Sequence, residues 1–269
     1  MSLIITYNGS QLANSSTALR LSLNTAGTYC ADNIIVDYTA QDDIIPVKDG
    51  KTRIYITIPA GADLSKLSVP LYWNQDVSEG VIIDWGDGSP TETVSETGNV
   101  HAPTPHTYGR CGQYVITMTR VGNCTIKLGN GSDTTGLLGT AVITANTSRS
   151  VLTGIETGDG VTTLQAYCCC RCGGIRTLIF GKDITTLGNY VCAYAWEMAG
   201  IHFLGTLPYN DNIGSTTMWD EIPPWCRVFV PMQYIMGGTP TNIPARLPST
   251  STYTYAVEPY AYPVGGQNE

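Results

Sequence analysis

The run Val161-Thr162-Thr163-Leu164-Gln165-Ala166-Tyr167-Cys168-Cys169, closed by Leu178-Ile179-Phe180, returns 23 residues later. The second copy reads Ile184-Thr185-Thr186-Leu187-Gly188-Asn189-Tyr190-Val191-Cys192, closed by Ile201-His202-Phe203. Over 20 aligned positions no gap is needed and six residues are identical. Val161/Ile184, Ile175/Met198 and Leu178/Ile201 are apolar in both copies, so each unit offers a short strand and a fixed set of inward positions. Turn signals recur in phase at Leu128-Gly129-Asn130-Gly131, Thr157-Gly158-Asp159-Gly160 and Phe180-Gly181-Lys182-Asp183, with gaps of 29 and then 23 residues. A 23-residue period with one short strand per unit reads as a solenoid, because a single unit cannot cover its own apolar face. With about two regular units, the preceding domain is expected to cap one end.

That preceding domain reads as strands throughout. Ile54, Ile56 and Ile58 alternate, Val81-Ile82-Ile83-Asp84-Trp85 forms a second run, and Tyr114-Val115-Ile116-Thr117-Met118-Thr119 a third. Short strands at this spacing predict a β-sandwich. Residues 1–43 alternate around Leu3/Ile5/Tyr7, Leu19/Leu21/Leu23 and Ile34/Val36/Tyr38, as three short strands would. Beyond 232, Thr252-Tyr253-Thr254-Tyr255-Ala256-Val257 is one more candidate strand in a Pro-, Thr- and Tyr-rich tail. The expected division is therefore 1–43, 44–125, 126–232 and 233–269. The expected class is mainly β, an immunoglobulin-like sandwich followed by a short leucine-rich-repeat-type solenoid with a β cap.

Composition agrees with that class. Thr occurs 35 times and Lys five, and charged residues make up 13% of the 269. Branched and aromatic side chains suit a pleated surface, whereas bundles and coiled coils need Ala, Leu, Glu and Lys at helical period. The net charge is −8, with no basic cluster to bind phosphates, so no nucleic-acid partner is expected. No aliphatic run exceeds three residues, as at Ile34-Ile35-Val36, so membrane insertion is not expected either. The opening residues, Met1 to Tyr7, lack a positive n-region and an apolar h-region, which predicts no export by the usual route.

Three resemblances sharpen the reading. Asp84-Trp85-Gly86-Asp87-Gly88-Ser89-Pro90, then His106-Thr107-Tyr108, then Gly112-Gln113-Tyr114-Val115-Ile116 resemble, in order, the signature of the polycystic-kidney-disease (PKD) domain. Residues 161–180 resemble the BspA-like leucine-rich repeat, with Tyr167 on its Tyr, Cys169 on its Phe and Cys172 on its Cys. In the second unit Tyr190 and Cys192 take the first two places, and Ala195 replaces the consensus Cys. Ile222 to Pro231 is similar to the strand that closes such repeats. Residues 18–36 resemble a segment found in phage tail and baseplate-associated proteins. Together these imply adhesion or scaffolding rather than catalysis.

The chemistry-bearing residues fit that expectation. Trp85 is expected to end a buried strand, and Gly86-Asp87-Gly88 to make a tight turn whose amides Asp87 bonds. His106 and Tyr108 are expected to open the next strand, with Tyr108 pointing inward. Asp84 and Asp87 alone give too few oxygens for calcium, so no metal or other cofactor is expected. Nine cysteines include Cys168, Cys169, Cys170, Cys172 and Cys192 within 25 residues. The expectation is mostly reduced thiols used as small apolar fillers. On an extended chain Cys168, Cys169 and Cys170 alternate faces and do not chelate one ion. His202, between Ile201 and Phe203, is expected to face away from the core. Tyr194, Trp196, Trp219 and Trp225 lie where the repeat asks for no core residue, and are the candidate binding residues for a protein or glycan on a cell surface. Trp219 and Trp225 equally suit closing the end of the core. Two roles compete: a virion accessory protein of a phage or prophage, which as such a component could be oligomeric, and a BspA-like bacterial adhesin.

Overall fold

In a computed structural model of the chain, the described residues are 4–7, 10–14, 49–62, 64, 68–76, 80–101, 105–132, 136–139, 151–205, 221–231, 235–236, 239–240 and 254–257. Two units separate, Met1–Ile34 and Ile35–Glu269. In the first, β1 (Ile4–Tyr7) pairs antiparallel with β2 (Ser10–Asn14). The expected strands around Leu21 and Val36 lie outside the described residues.

The second unit is mainly β. It opens with β3 (Thr52–Ile58), β4 (Trp73–Gln75), β5 (Val81–Asp84), β6 (Glu92–Val94), β7 (Gly98–His101), β8 (Gly112–Arg120) and β9 (Ile126–Leu128). It continues with β10 (Leu152–Glu156), β11 (Val161–Leu164), β12 (Thr177–Phe180), β13 (Thr186–Leu187), β14 (Gly200–Phe203) and β15 (Arg227–Val230). A small hairpin of β16 (Ile235–Met236) and β17 (Thr239–Pro240) precedes β18 (Thr254–Val257).

Two sheets run through this unit. The first has the order β18-β15-β14-β12-β10-β3-β8-β5-β6 and the second β13-β11-β9-β4-β7. Pairing is antiparallel from β3 to β6 and parallel from β10 to β18. The change of sense falls where β10 lies antiparallel on β3. In the second sheet it falls at β9, antiparallel to β4 and parallel to β11.

The 23-residue period is written into the register. Gly154 faces Thr177 and Thr177 faces Gly200, while Leu164 faces Leu187. The next steps, Gly200 to Arg227 and Arg227 to Thr254, are longer by four residues each. Thus β10 belongs to the same series as β12 and β14, one strand more than the sequence repeat shows.

Side-chain patterning explains the difference between the two halves. In β3, Ile54, Ile56 and Ile58 are buried and the residues between them are half-buried, the alternation of a strand with one covered face. In β14 all four residues are buried, as in parallel strands covered on both sides. Inward residues of both sheets join one continuous cluster, from Trp73 and Trp85 through Leu128 and Leu164 to Ile201 and Val230. Trp73 keeps its indole N–H satisfied inside this cluster by donating to Gln75 Oε1 at 2.8 Å.

The turns between repeats are packed backbone against backbone. A Cβ placed on Gly158, Gly181 or Gly205 would lie 2.3, 2.4 or 2.5 Å from Gly50 O, Thr157 O or Lys182 Cα. Only glycine permits that approach. Hydroxyls tie the same turns together: Gly158 N donates to Thr52 Oγ1 at 2.9 Å and Gly181 N to Thr157 Oγ1 at 2.7 Å. The turn at Gly50–Thr52 thus meets the turn at Thr157–Gly158 as closely as that turn meets Gly181, although β3 itself runs antiparallel to β10.

Candidate functional site

The Trp85 motif folds into a knot of rings and a carboxylate. Trp85 follows β5 directly, is fully buried, and donates from Nε1 to Glu92 Oε1 at 3.0 Å. Asp84 Oδ1 accepts from Gly86 N, and Asp87 Oδ1 accepts from Ser89 N, so each aspartate closes its own turn. His106 Nε2 donates to Asp87 Oδ2 at 2.8 Å, and its ring stacks on Trp85 with centroids 4.6 Å apart. Buried Tyr108 donates to Trp85 O at 3.0 Å. His106 and Tyr108 do not open a strand, as the sequence led one to expect. His106 makes an isolated bridge with Val69, and β8 begins only at Gly112.

Electrostatics match this role. Burial alone would raise the Asp87 carboxyl, but hydrogen bonds from Ser89 and His106 outweigh it and bring it down to about 2. Burial pushes the Tyr108 phenol well up, with Asp87 adding to the effect. Among the described residues no three His, Cys, Asp or Glu side chains are grouped to hold a metal ion.

The cysteine-rich turns are interior. Cys168, Cys169, Cys170 and Cys172 are all buried, as are Cys192 and Cys226, and none of these is disulfide-bonded. The expectation of an extended, face-alternating chain here is wrong. Successive turns, closed by Cys168 N to Gln165 O, Cys170 N to Tyr167 O and Cys172 N to Cys169 O, carry all three neighbouring thiols inward. Cys169 and Cys172 have CxxC spacing, and the turn between them buries both. Burial pushes the Cys192 thiol up, and nearby Cys169 and Cys172 add to it; burial pushes Cys226 up to about 12. Cys111 is disulfide-bonded. His202 is buried like the rest of β14, and its ring stacks on Phe229 with centroids 4.2 Å apart.

Val191, Ala193 and Ala195 of the long turns are buried as well, while Tyr167, Tyr190 and Tyr194 are half-buried. Tyr167 and Tyr190 stack at 5.2 Å with rings 8° apart. Both take positive φ, 60° and 54°, and so do Arg171 at 59° and Tyr194 at 63°. The left-handed region is costly for bulky residues, yet it recurs here at the repeat's own spacing. It accompanies amides of alternate residues donating to the next repeat: Tyr167 N to Asn189 O, Cys169 N to Val191 O, Arg171 N to Ala193 O.

Each long turn ends in the same hydrogen-bonded bend: Ile175 N to Cys172 O, Met198 N to Ala195 O, Cys226 N to Pro223 O. The residues between are Gly173-Gly174, Trp196-Glu197 and Pro224-Trp225. Trp196 is 54% exposed and Trp225 67%, the large apolar side chains left outside among the described residues. Trp225 therefore does not close the core. A Cβ on Gly173 would lie 3.5 Å from Trp196 Cε3, so the indole rests against the previous repeat's bare backbone. Tyr194 meets Trp196 edge-on at 6.4 Å, and the Arg171 guanidinium sits 5.7 Å from the centre of the Tyr194 ring. Arg176 Nε pairs with Glu197 Oε2 at 3.2 Å. Trp219 lies outside the described residues.

No protein-family model, curated protein or solved structure matches the chain. The site must be read from its own geometry. Of the expected binding residues, Tyr194 and Trp196 come together and Trp225 sits in the corresponding bend of the following repeat. Arg171, Arg176 and Arg227 were missed; their signal was position, since each lies in or just after the turn that carries the aromatics. The opposite, short-turn edge holds Lys182 between Asp159 at 3.0 Å and Asp183 at 3.1 Å, a set whose charges answer one another.

Proposed function

We propose that this chain is a non-catalytic surface-binding module, an accessory protein of a phage or prophage virion that contacts a bacterial surface. Its architecture on this reading is a PKD-like sandwich extended by a short BspA-like solenoid, which serves to hold the long-turn edge in place. The observation that carries the proposal is the pair Trp196 and Trp225, exposed in equivalent bends of successive repeats while Trp73 and Trp85 are fully buried. Leaving an indole in water forgoes burial worth about 2 kcal/mol or more, so a partner is the economical reason to keep two there. A rigid, repeated backbone underneath them lowers the entropy lost on binding.

The test is adherence of the labelled protein to bacterial cells and isolated envelopes. Trp196→Ala with Trp225→Ala should abolish adherence while leaving thermal unfolding unchanged. Undiminished adherence would remove this edge from the reading. A bacterial adhesin of the BspA-like kind would use the same edge. Tail or lysin genes beside the coding sequence support the virion; export or surface-polysaccharide genes support the adhesin.

A further inference from the structure

We infer that the long-turn edge takes a carboxylate-bearing glycan, its acid groups held by Arg171 and Arg227 and its sugar faces laid on Trp196 and Trp225. The inference rests on the reading of that edge as the binding surface, and adds the chemistry of the ligand.

Charge is the first argument. In a chain of net charge −8, three exposed arginines, Arg171, Arg176 and Arg227, lie in or just after the turns of the long-turn edge. Glu197 answers Arg176. Among the described residues no carboxylate answers Arg171 or Arg227. Each instead lies over an aromatic ring, Arg171 at 5.7 Å from Tyr194 and Arg227 at 5.0 Å from Phe229. A cation–π contact fixes where a guanidinium lies and leaves its N–H fork free. A planar fork with open donors matches a carboxylate bidentately.

Shape is the second argument. Protein hot spots are aromatic anchors sunk in desolvated pockets behind a rim of neighbours. Here the indoles stand more than half exposed on the outside of bends, and Gly173 backs the Trp196 ring with bare backbone. Such plates suit a ring that is apolar on its face and polar at its rim, which is how a sugar presents itself. Neighbouring strands are about 5 Å apart, and Trp196 and Trp225 stand in bends of successive turns, so the two plates are spaced for a few sugar units rather than for a wide protein surface.

The experiment is an array of uronate- and sialate-bearing glycans beside neutral ones, with the full chain as probe, followed by titration of the best acidic and neutral hits. An acidic peptide, poly-glutamate, is included. The acidic glycans should bind in preference, and Arg171→Gln with Arg227→Gln should weaken them about tenfold or more while sparing any neutral binder. Arg171→Lys with Arg227→Lys should fall between, since the charge stays and the fork goes. Affinity should drop as salt rises from about 50 to about 500 mM. If neutral glycans bind as well as acidic ones and the arginine variants change neither, the edge binds sugar but the inference fails. If poly-glutamate binds more tightly than every acidic glycan, or no acidic glycan binds, it fails too. Cell adherence that still depends on Trp196 and Trp225 would leave the broader proposal standing in each of those cases.

Discussion

Gly86 and Gly88 take almost the same backbone angle, φ of 77° and 86°, and meet very different surroundings. A Cβ on Gly86 would lie 2.5 Å from Val115 O, whereas one on Gly88 would meet nothing within 4 Å. Gly88→Ala should therefore cost only the left-handed penalty, about 1 kcal/mol. Gly86→Ala must also displace β8 and should cost about 3 kcal/mol or more by urea unfolding. Equal costs for the two would refute the close approach. Asp87 beside them sets an acid limit. Its carboxyl stands at about 2 in the folded chain against 3.8 without these partners. Because the folded value is depressed, the stabilisation, about 1 kcal/mol once solvent screening at this exposed turn is allowed for, is present above pH ~4 and is lost as the pH falls through ~2. Asp87→Asn should flatten the stability profile between those limits and leave it parallel at neutral pH. An unchanged acid limb in the variant would assign the loss to other groups. The turn and the Asp87–amide bond were readable from Asp84 to Pro90 alone. The stack of His106 on Trp85 was not, because nothing local tells that a residue 19 positions on from Asp87 will return to it.

At the scale of the element, the short turns depend on missing side chains. Gly181→Ala drives a methyl into Thr157 O and should destabilise by about 3 kcal/mol or more, while Thr157→Val removes one hydrogen bond and should cost about 1 kcal/mol. Chemical denaturation of both variants checks the order. The inward thiols give a second readout. Cys192 is buried and held protonated, so it and its neighbours should resist alkylation in the native chain and label promptly on unfolding. Rapid native labelling of Cys169 or Cys192 would contradict their burial. The sequence repeat revealed β12 and β14 because identical residues mark their lead-in turns. It hid β10, where Leu152 and Ile155 are apolar matches to Ile175 and Leu178 but no identical lead-in residues mark the place. The cysteine turns were misread for a related reason: alternation assumes an extended strand, and bends every few residues cancel it.

For the molecule between Ile35 and Glu269, the two sheets pass without a break from alternating strands to repeats, through β3–β10 and β9–β11. One core cluster accompanies them. Gly86→Ala and Gly181→Ala, far apart in sequence, should therefore lower the midpoint of one and the same calorimetric transition. Two separable transitions, each answering to one variant, would show independent domains. Composition and alternation were enough to read β structure on both sides of residue 126; the join was not readable, since a strand's neighbours are chosen by the whole sheet. The equal 23-residue steps from β10 to β12 and from β12 to β14 bear on how the chain can be edited. Excising residues 177–199 sets Gly200 directly after Arg176, and β14 then meets β10 with the partners that β12 has now. Excising 22 or 24 residues would instead set β14 one position out of register on β10 and turn its side chains to the wrong face. Between β10 and β14 a deletion of one whole step should therefore fold where a near miss of one residue does not, whereas the 27-residue steps beyond β14 show that a turn takes four more residues.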